Sequence, residues 1–516
     1  MTSSSVNSQL EATTALDTSG ALAIVKRSLR YAWDLRYRYV VKLLMAILAI
    51  FPPLILVWPF KIIVDNVVLG HPIGQSLDQY PFFIRPLVEF LAGKSTLEIM
   101  LILVVFGIAT IMLLGAFGES GTTTTQRDGV NSDLAEGTDI ATRTENQANK
   151  AQSSIGGLLG YLEFLWTIRI SHRLNYRLRG EVFRKLQRLP MSTLEDERIG
   201  DAVYRVMYDT PSITELCDKT IVVPVQTILQ IYVVLLMLDF SFSEAPELFW
   251  IGLSALPIFF FVFLIYTGRL RRQWETSRNL GATTTASMEE SLGNILAVQS
   301  LGGQQREMDR FSASSRLSFR GYLLGYGLML MVFLTGIAIF AGIVMYALTI
   351  MTDLIIAGVL TAGDLVVIYV FYFRIFDASR KLGGLWLDLQ FPIAGMRRVF
   401  LMLDLPDEKE TSSRPFPGIE RSLRFENVSF TYPDGTRALE QIDFTAHPGQ
   451  MVALVGATGS GTPTLAYMIP RFLDPTSARV LIDAEDTAGS SPTSLRDHYT
   501  HVFQENTFFM CTKKQK

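Results

Sequence analysis

Long apolar stretches alternate with polar stretches along the first three quarters of the chain. The apolar runs occupy residues 40–60, 97–117, 155–170, 221–238, 249–265, 322–349 and 354–376. A helix needs roughly 17–25 apolar residues to cross hydrocarbon, so each run except the marginal 155–170 predicts a spanning helix. The pair Pro52-Pro53 should kink the first span. The pattern therefore predicts a multi-span α-helical membrane domain.

Clusters of Lys and Arg indicate which connections face the cytosol. They lie before residue 40 and within 173–188, 269–278, 306–320 and 380–398, whereas the short turns 239–247 and 350–353 contain none. Because cytosolic flanks are enriched in Lys and Arg, the N-terminus, the connections 171–220 and 266–321, and everything after 377 are predicted to be cytosolic. Both connections are polar, helix-patterned and too long for turns, which predicts cytosolic helical hairpins.

Seven apolar runs cannot leave both ends of the chain on one side. The stretch 119–154 between two runs is rich in Thr, Asn and Gly and carries more Asp and Glu than Lys and Arg. Such a stretch cannot lie in hydrocarbon. We interpret 97–117 and 155–170 as one split span with an extracytoplasmic insert at 116–154, the first piece being re-entrant or interfacial. That gives about six spans; two separate full spans are the alternative.

The remaining segments divide the chain into domains. Residues 1–20 are Ser/Thr-rich, lack the pattern of a cleaved signal peptide and predict a disordered tail. Residues 21–38 have apolar positions at helical spacing among basic residues, which predicts a helix on the inner membrane surface, a plain basic stretch being the alternative. We assign 21–404 to the membrane domain, 405–420 to a linker and 421–516 to a second domain.

Composition agrees with this division. Hydrophobic residues make up 49% of the chain, mean hydropathy is +0.28, and the two cysteines exclude a disulfide framework. No basic–aromatic stripe indicates nucleic acid. The candidate metal ligands do not have the spacing of a metal site, and we interpret them as structural residues. They are Cys217, His447, His498 and His501. Glu163 and Arg169 fall within an apolar run, so they are either functional groups or water-facing residues near its ends.

The second domain contains a candidate phosphate-binding loop. Strands are predicted at 423–432 and 438–446 around a turn at 433–435, and the apolar run 452–455 predicts a further strand. A glycine-rich turn and a predicted helix over 465–472 follow. Gly456, Gly459 and Gly461 fit the motif G-x-x-x-x-G-K-[ST], but Thr462 replaces its lysine and Pro463 its Ser/Thr.

Those two replacements remove chemistry while leaving the fold possible. Thr462 carries no charge, and Pro463 lacks both a hydroxyl and a backbone donor. Proline also biases Thr462 away from helical geometry, yet it is tolerated at the start of a helix. Thr464 remains as a hydroxyl that could touch a phosphate.

Several stretches together resemble type I ABC exporters. They are Phe425–Pro433 (FENVSFTYP), Pro448–Gly456 (PGQMVALVG), Leu473–Thr476 (LDPT), Leu481–Asp483 (LID), His501–Glu505 (HVFQE), Thr361–Asp364 (TAGD) and Arg397–Asp404 (RRVFLMLD). The resemblance covers nearly the whole chain. It implies a type 1 exporter membrane domain followed by an α/β P-loop nucleotide-binding domain, working as a homodimer or heterodimer of half-transporters.

The resemblance also implies a nucleotide site. Tyr432 would stack on adenine, Gln504 of the Q-loop would meet Mg, and the loop would hold ATP. The implied cofactor-binding residues are Tyr432, Gly456, Ala457, Thr458, Gly459, Ser460, Gly461, Thr462, Pro463, Thr464 and Gln504. The expected location is the cytoplasmic (inner) membrane with the nucleotide-binding domain in the cytosol, among membrane lipids, with a lipid, glycan, peptide or drug-like substrate and no nucleic acid.

The sequence departs from the family pattern in its chemistry. The family's signature, magnesium-binding Asp, catalytic Glu and switch His follow the Q-loop, and this sequence ends at Lys516 in a tail typical of a frameshift or of a short natural extension. Ser300–Arg306 (SLGGQQR) nearly spells the signature but precedes the phosphate loop, so we interpret it as part of a cytosolic transmission hairpin. We therefore expect a truncated, hydrolysis-deficient domain and leave enzymatic status open. A catalytically silent membrane partner, or a non-functional product of a truncated gene, is the alternative.

Overall fold

The structure is a computed structural model that describes residues 18–71, 73, 80–115, 156–191, 205–408, 420–432, 435–457, 459–483, 485–500 and 502. Two compact units are present. The first, which we call the membrane unit, comprises 22–176 and 211–396; the second, the sheet unit, comprises 1–21, 177–210 and 397–516.

The helices of the first half follow the predicted apolar runs. They are α1 (Thr18–Trp33), α2 (Arg36–Leu48), α3 (Phe51–Ile55), α4 (Val57–Ile62), a π-helical turn Ile63–Val68, α5 (Arg85–Leu91), α6 (Thr96–Leu114) and α7 (Gly157–Leu186). The predicted helix over 21–38 is present as two helices: α1 begins inside the predicted tail and ends at Trp33, and residues 36–38 belong to α2. The kink at Pro52-Pro53 is confirmed, because the first span is divided into α2, α3 and α4 there.

The second half contains longer helices. A π-helical turn Arg205–Asp209 precedes α8 (Ser212–Ser241), and then come α9 (Pro246–Gly293), α10 (Ile295–Ser300), α11 (Gln304–Ile356) and α12 (Asp364–Asp404). Among the described residues, five helical segments are long and apolar enough to cross a membrane: Arg36–Val68, Thr96–Leu114, Ser212–Ser241, Pro246–Gly293 and Gln304–Ile356. The predicted apolar run 354–376 is divided, since its first residues end α11 and the residues from Asp364 onward begin α12.

The two pieces of the predicted split span meet end to end. An ideal Cβ on Gly157 would lie 2.6 Å from Ile111 O and 2.7 Å from Gly115 N, and one on Gly115 would collide with the Gly156 backbone. The start of α7 therefore abuts the end of α6, as one split span requires. At 19 residues, α6 is also long enough to span alone, so one split span and two separate full spans both stay predictions. Its start is fixed by a capping box between Ser95 and Glu98.

Helices α9 and α11 form the predicted long hairpin. They are 48 and 53 residues long and are joined through α10, so that Ser300–Arg306 lies at the hairpin turn. Glycines allow close approach: Gly325 lies under the Trp274 ring, and Gln273 Nε2 donates to Gly321 O at 3.0 Å. Trp274 also packs edge-on against Tyr326, with ring centroids 5.5 Å apart.

The sheet unit is built on four antiparallel strands in the order β2-β1-β3-β4. They are β1 (Leu423–Thr431), β2 (Arg437–Ala446), β3 (Ser477–Ile482) and β4 (Glu485–Asp486), with α13 (Thr462–Met468) and α14 (Pro492–Arg496) beside them. The two predicted strands are confirmed to within a residue or two. The hydrophobic core includes Phe425, Val428, Leu439, Leu465, Met468 and Val480.

The strand predicted at 452–455 is absent. These residues are irregular, and Met451 and Val455 are 99% and 92% exposed. A strand needs neighbours for its N–H and C=O groups, and none of the described strands pairs with this segment. Apolar residues alone did not make it a strand.

Candidate functional site

The glycine-rich turn connects the irregular segment to helix α13. Ser460 N donates to Ala457 O at 2.9 Å, which closes the turn, and Leu465 N donates to Gly461 O at 3.0 Å, which starts the helix. Gly461 has φ +81°, and a Cβ there would collide with Ala438 O of strand β2. Backbone conformation and available space both therefore require glycine at 461.

Hydroxyl groups occupy the inner side of this turn. A Cβ on Gly456 would collide with the Ser460 side chain, and Ser460 Oγ lies 3.1 Å from Thr462 Oγ1. Side chains of the turn itself thus occupy the space next to Gly456. Thr462 and Pro463 are the first two residues of α13, so proline is tolerated at the helix start as predicted.

Tyr432 and Thr464 are brought together. The Tyr432 hydroxyl lies 3.0 Å from Thr464 Oγ1, and its ring packs edge-on against Phe430 with centroids 4.9 Å apart. Thr464 is 5% exposed. The predicted adenine-stacking and phosphate-touching residues therefore contact one another directly. Thr458 and Gln504 lie outside the described residues, so their predicted roles stay predictions.

An arginine pair that the sequence analysis missed holds the segment after α13. Arg471 is 6% exposed, donates to Ser490 O at 2.9 Å and pairs with Asp474 at 2.8 Å. Arg496 donates to both carboxylate oxygens of Glu408 at 2.9 and 2.5 Å. The sequence shows only that these arginines follow short apolar segments, and this pattern does not indicate their partners.

The same network reaches the end of helix α7. Lys185 forms an ion pair with Asp407, and Glu408 N donates to Arg188 O at 2.8 Å. A cavity of about 300 Å³ lies here, lined by Pro190, Glu408, Phe430, Arg471, Phe472 and Pro492. Arg398 also holds Asp209 through two hydrogen bonds of 2.7 and 2.5 Å. All of these contacts lie within the sheet unit.

A carboxylate fixes the start of strand β1. Asp483 accepts hydrogen bonds from the backbone N–H groups of Glu420 at 2.6 Å, Arg421 at 2.6 Å and Ser422 at 2.8 Å. Burial by itself would raise the pKa of Asp483, but the three N–H donors outweigh it and hold the pKa below its ordinary value. The ionised form is therefore the one that secures this junction.

Of the charged residues predicted within a span, one is buried and one is not. Glu163 is 4% exposed and lies 3.7 Å from Lys42 Nζ, whereas Arg169 is exposed. Cys217 is buried, and His447 and His498 each contact a backbone carbonyl, Arg421 O and Ser494 O. His501 lies outside the described residues.

The fold and the turn define a membrane protein of many helices whose chain continues into a P-loop domain. Residues 153–379 match the family model for the ABC transporter transmembrane region, and residues 439–515 match the model for the ABC transporter itself. The chain belongs to the ABC transporters and is of the type I exporter kind.

Curated relatives and a solved structure agree with this assignment. The chain is 29% identical over 69% of its length to an ATP-dependent lipid A-core flippase of Chromobacterium violaceum, covering 60% of that protein. It is 30% identical over 64% of its length to a fatty acid ABC transporter ATP-binding/permease protein of Mycobacterium bovis, covering 52%. The structure of a bacterial Atm1-family ABC exporter with ATP bound is similar in fold, with a TM-score of 0.58 and 21% identity over 90% of this chain and 70% of that one.

These relatives differ in cargo. A third, the cyclolysin secretion/processing ATP-binding protein of Bordetella pertussis, is 29% identical over 66% of this chain and 47% of its own length. The chain thus spans about half to three fifths of the length of the curated relatives it matches.

Proposed function

We propose that this chain is a subunit of an ATP-driven exporter that moves a lipid, glycan, peptide or drug-like substrate across the cytoplasmic membrane. The observation that carries the proposal is the order of its parts: a multi-helix membrane unit with the α9–α11 hairpin, followed by the Gly456–Gly461 turn against strand β2. The names of the relatives support a lipid, fatty acid or protein cargo without choosing among them.

We propose further that the subunit works as a dimer, with its P-loop domain in the cytosol, and binds ATP with Mg weakly. Phosphoryl transfer depends on positioning and on neutralising the phosphates, which the motif lysine supplies and Thr462 does not. A lost charge-assisted bond costs about 1.5–3 kcal/mol, or roughly tenfold to a hundredfold in affinity. Hydrolysis deficiency follows from the same two residues.

Restoring the motif tests this proposal. In the double variant Thr462→Lys/Pro463→Ser we expect the affinity for Mg-ATP to rise about tenfold to a hundredfold, measured by titration of the full chain in lipid nanodiscs. The single variant Pro463→Ser restores the hydroxyl and the backbone N–H without the lysine charge, so it separates the effects of these two losses on affinity. Equal affinity of the starting chain and the double variant would contradict the proposed cause of weak binding.

The second candidate function is a catalytically silent partner of an intact half-transporter, and Thr462 with Pro463 favours it. Co-expression with an active half-transporter decides between the two. A heterodimer whose transport rate is unchanged by Thr462→Lys/Pro463→Ser supports the silent partner. A homodimer whose transport depends on those positions supports the exporter subunit.

A further inference from the structure

An ionic cluster is buried among three helices of the membrane unit. Lys42 on α2 lies with its Nζ 2.6 Å from Asp218 Oδ2 on α8 and 3.7 Å from Glu163 Oε1 on α7. The side chains of Lys42 and Glu163 are 4% and 5% exposed, and that of Asp218 is 22% exposed. Charged groups inside a membrane domain are costly, so they are functional candidates.

The cluster has one positive and two negative side chains. Lys42 is closer to Asp218, which leaves Glu163 the less compensated carboxylate; its Oε1 accepts a 2.8 Å hydrogen bond from Thr167 Oγ1. Glu163 Oε2 and Asp218 Oδ1 are both buried and lack a hydrogen-bond partner among the residues that the structure describes. A buried carboxylate without compensation is strongly unfavourable.

The surrounding groups supply no second positive charge. Tyr39 on α2 and Cys217 on α8 are near Asp218, but a phenol and a thiol cannot carry positive charge, and the Cys217 thiol is directed to Ser28 O at 3.8 Å. Glu215 on α8 adds negative potential and is itself paired with Lys219 at 2.6 Å. Within the described part of the chain, Lys42 is the only cation in ion-pair distance of either carboxylate.

In a second ionic cluster of the same unit, all carboxylate oxygens accept hydrogen bonds. Lys61, Asp65 and Asp364 also combine one positive and two negative groups. There Asp65 accepts from Gly363 N and Thr361 Oγ1, both at 2.7 Å, while Asp364 accepts from Lys61 and from Thr361 N at 2.9 Å. Every carboxylate oxygen has a donor. The two clusters have the same net charge. They differ in that only the cluster of Lys42, Glu163 and Asp218 has carboxylate oxygens without a hydrogen-bond partner among the described residues.

We propose that the Lys42–Glu163–Asp218 cluster binds one monovalent cation, a proton or an alkali metal ion, at its unpartnered carboxylate oxygens, Glu163 Oε2 or Asp218 Oδ1. The cation brings the charge of the cluster to zero and gives a buried carboxylate oxygen a partner. Because the three charged residues belong to α2, α7 and α8, occupancy of the site changes the charge balance at the contact of these three helices. The site does not depend on the nucleotide loop.

Thermal unfolding of the full chain in nanodiscs tests the proposal in two arms. In the proton arm, choline is the only other cation and pH is varied; in the alkali arm, Na⁺ or K⁺ replaces choline at fixed alkaline pH. We expect the Tm to rise by about 2–4 °C or more in one arm, since a bound ligand stabilises the folded state. A carboxylic acid C=O band in the infrared difference spectrum accompanies a response to protons and not one to alkali ions.

Variants assign the response to the cluster. Glu163→Gln and Asp218→Asn each remove the excess negative charge and should abolish the response, whereas Glu89→Gln, at an exposed position on α5, should keep it. Using two separate variants guards against one that does not fold. No response of the starting chain in either arm, or an unchanged response in both cluster variants, overturns the proposal.

Discussion

Gly461 is held by two constraints that can be separated experimentally. Its φ of +81° disfavours any residue with a side chain, and the space for a Cβ is taken by Ala438 O. Gly449 has a similar φ of +78° but nothing within 4 Å of an ideal Cβ. A side chain would therefore be strained by the backbone conformation at both glycines, but only at Gly461 would its Cβ also collide with a neighbouring atom.

We expect Gly461→Ala to destabilise the sheet unit by more than the roughly 1–2 kcal/mol that a left-handed conformation costs a non-glycine residue. Gly449→Ala should cost only the strain. Hydrogen exchange of the amides in β1 and β2 measures the opening free energy of each variant. Equal losses in the two variants would show that the contact with Ala438 is unimportant.

Individual site residues could be predicted from the sequence where a motif requires a particular residue type. The glycines of the turn and the replacement at Thr462 were visible without coordinates. The bond between Tyr432 and Thr464 was not, since the two residues are far apart in the sequence and neither has a local pattern that pairs them. The same applies to Lys42 and Glu163, whose ion pair depends on how helices pack.

Among the elements, the tie between the segment before β1 and the turn after β3 depends on pH. Three backbone N–H groups hold the pKa of Asp483 low, so its contribution to stability is present above the ordinary aspartate pKa and is lost as pH falls through the lower folded value. Asp443, an exposed residue of β2, offers a matched control.

We expect the opening free energy of the sheet unit to fall as pH is lowered below about 4, and to fall less steeply in Asp483→Asn. At neutral pH that variant should be the less stable one, because the amide is a weaker acceptor. Hydrogen exchange at several pH values, corrected for intrinsic rates, measures both effects. Identical pH profiles for the starting chain, Asp483→Asn and Asp443→Asn would refute this role.

Elements with a strong repeating pattern were predicted well, and an element that depends on distant partners was not. Strand β1 buries Phe425, Val428 and Phe430, β2 alternates exposed and half-buried positions over 441–446, and both were found within a residue or two. The run 452–455 has equally apolar residues, but a strand also needs a paired neighbour, which no local pattern reports.

For the whole molecule, residues some three hundred positions apart are joined by the cluster of Lys61, Asp65 and Asp364. It connects the π-helical turn after α4 to the start of α12, and Lys61 also lies over the Tyr80 ring at 5.0 Å. The predicted order of spans does not reveal such a connection. It emerges only when the two ends of the membrane unit are folded together.

We expect Lys61→Met to destabilise the membrane unit by about 3–5 kcal/mol, because two buried carboxylates lose their cation. The double variant Lys61→Met/Asp364→Asn should recover part of that loss, since it restores the original net charge of the cluster. Thermal unfolding in nanodiscs compares the two. A double variant less stable than Lys61→Met would show that charge balance is not what the cluster provides.

The junction of α6 and α7 has a practical consequence. Because Gly115 and Gly157 are in contact, the chain between them starts and finishes at neighbouring points, and a change in its length costs little closure entropy. A fluorescent reporter or an affinity handle could replace residues 116–155 without altering the distance between the anchoring glycines. The junction of α6 and α7 is therefore a suitable insertion point for a label.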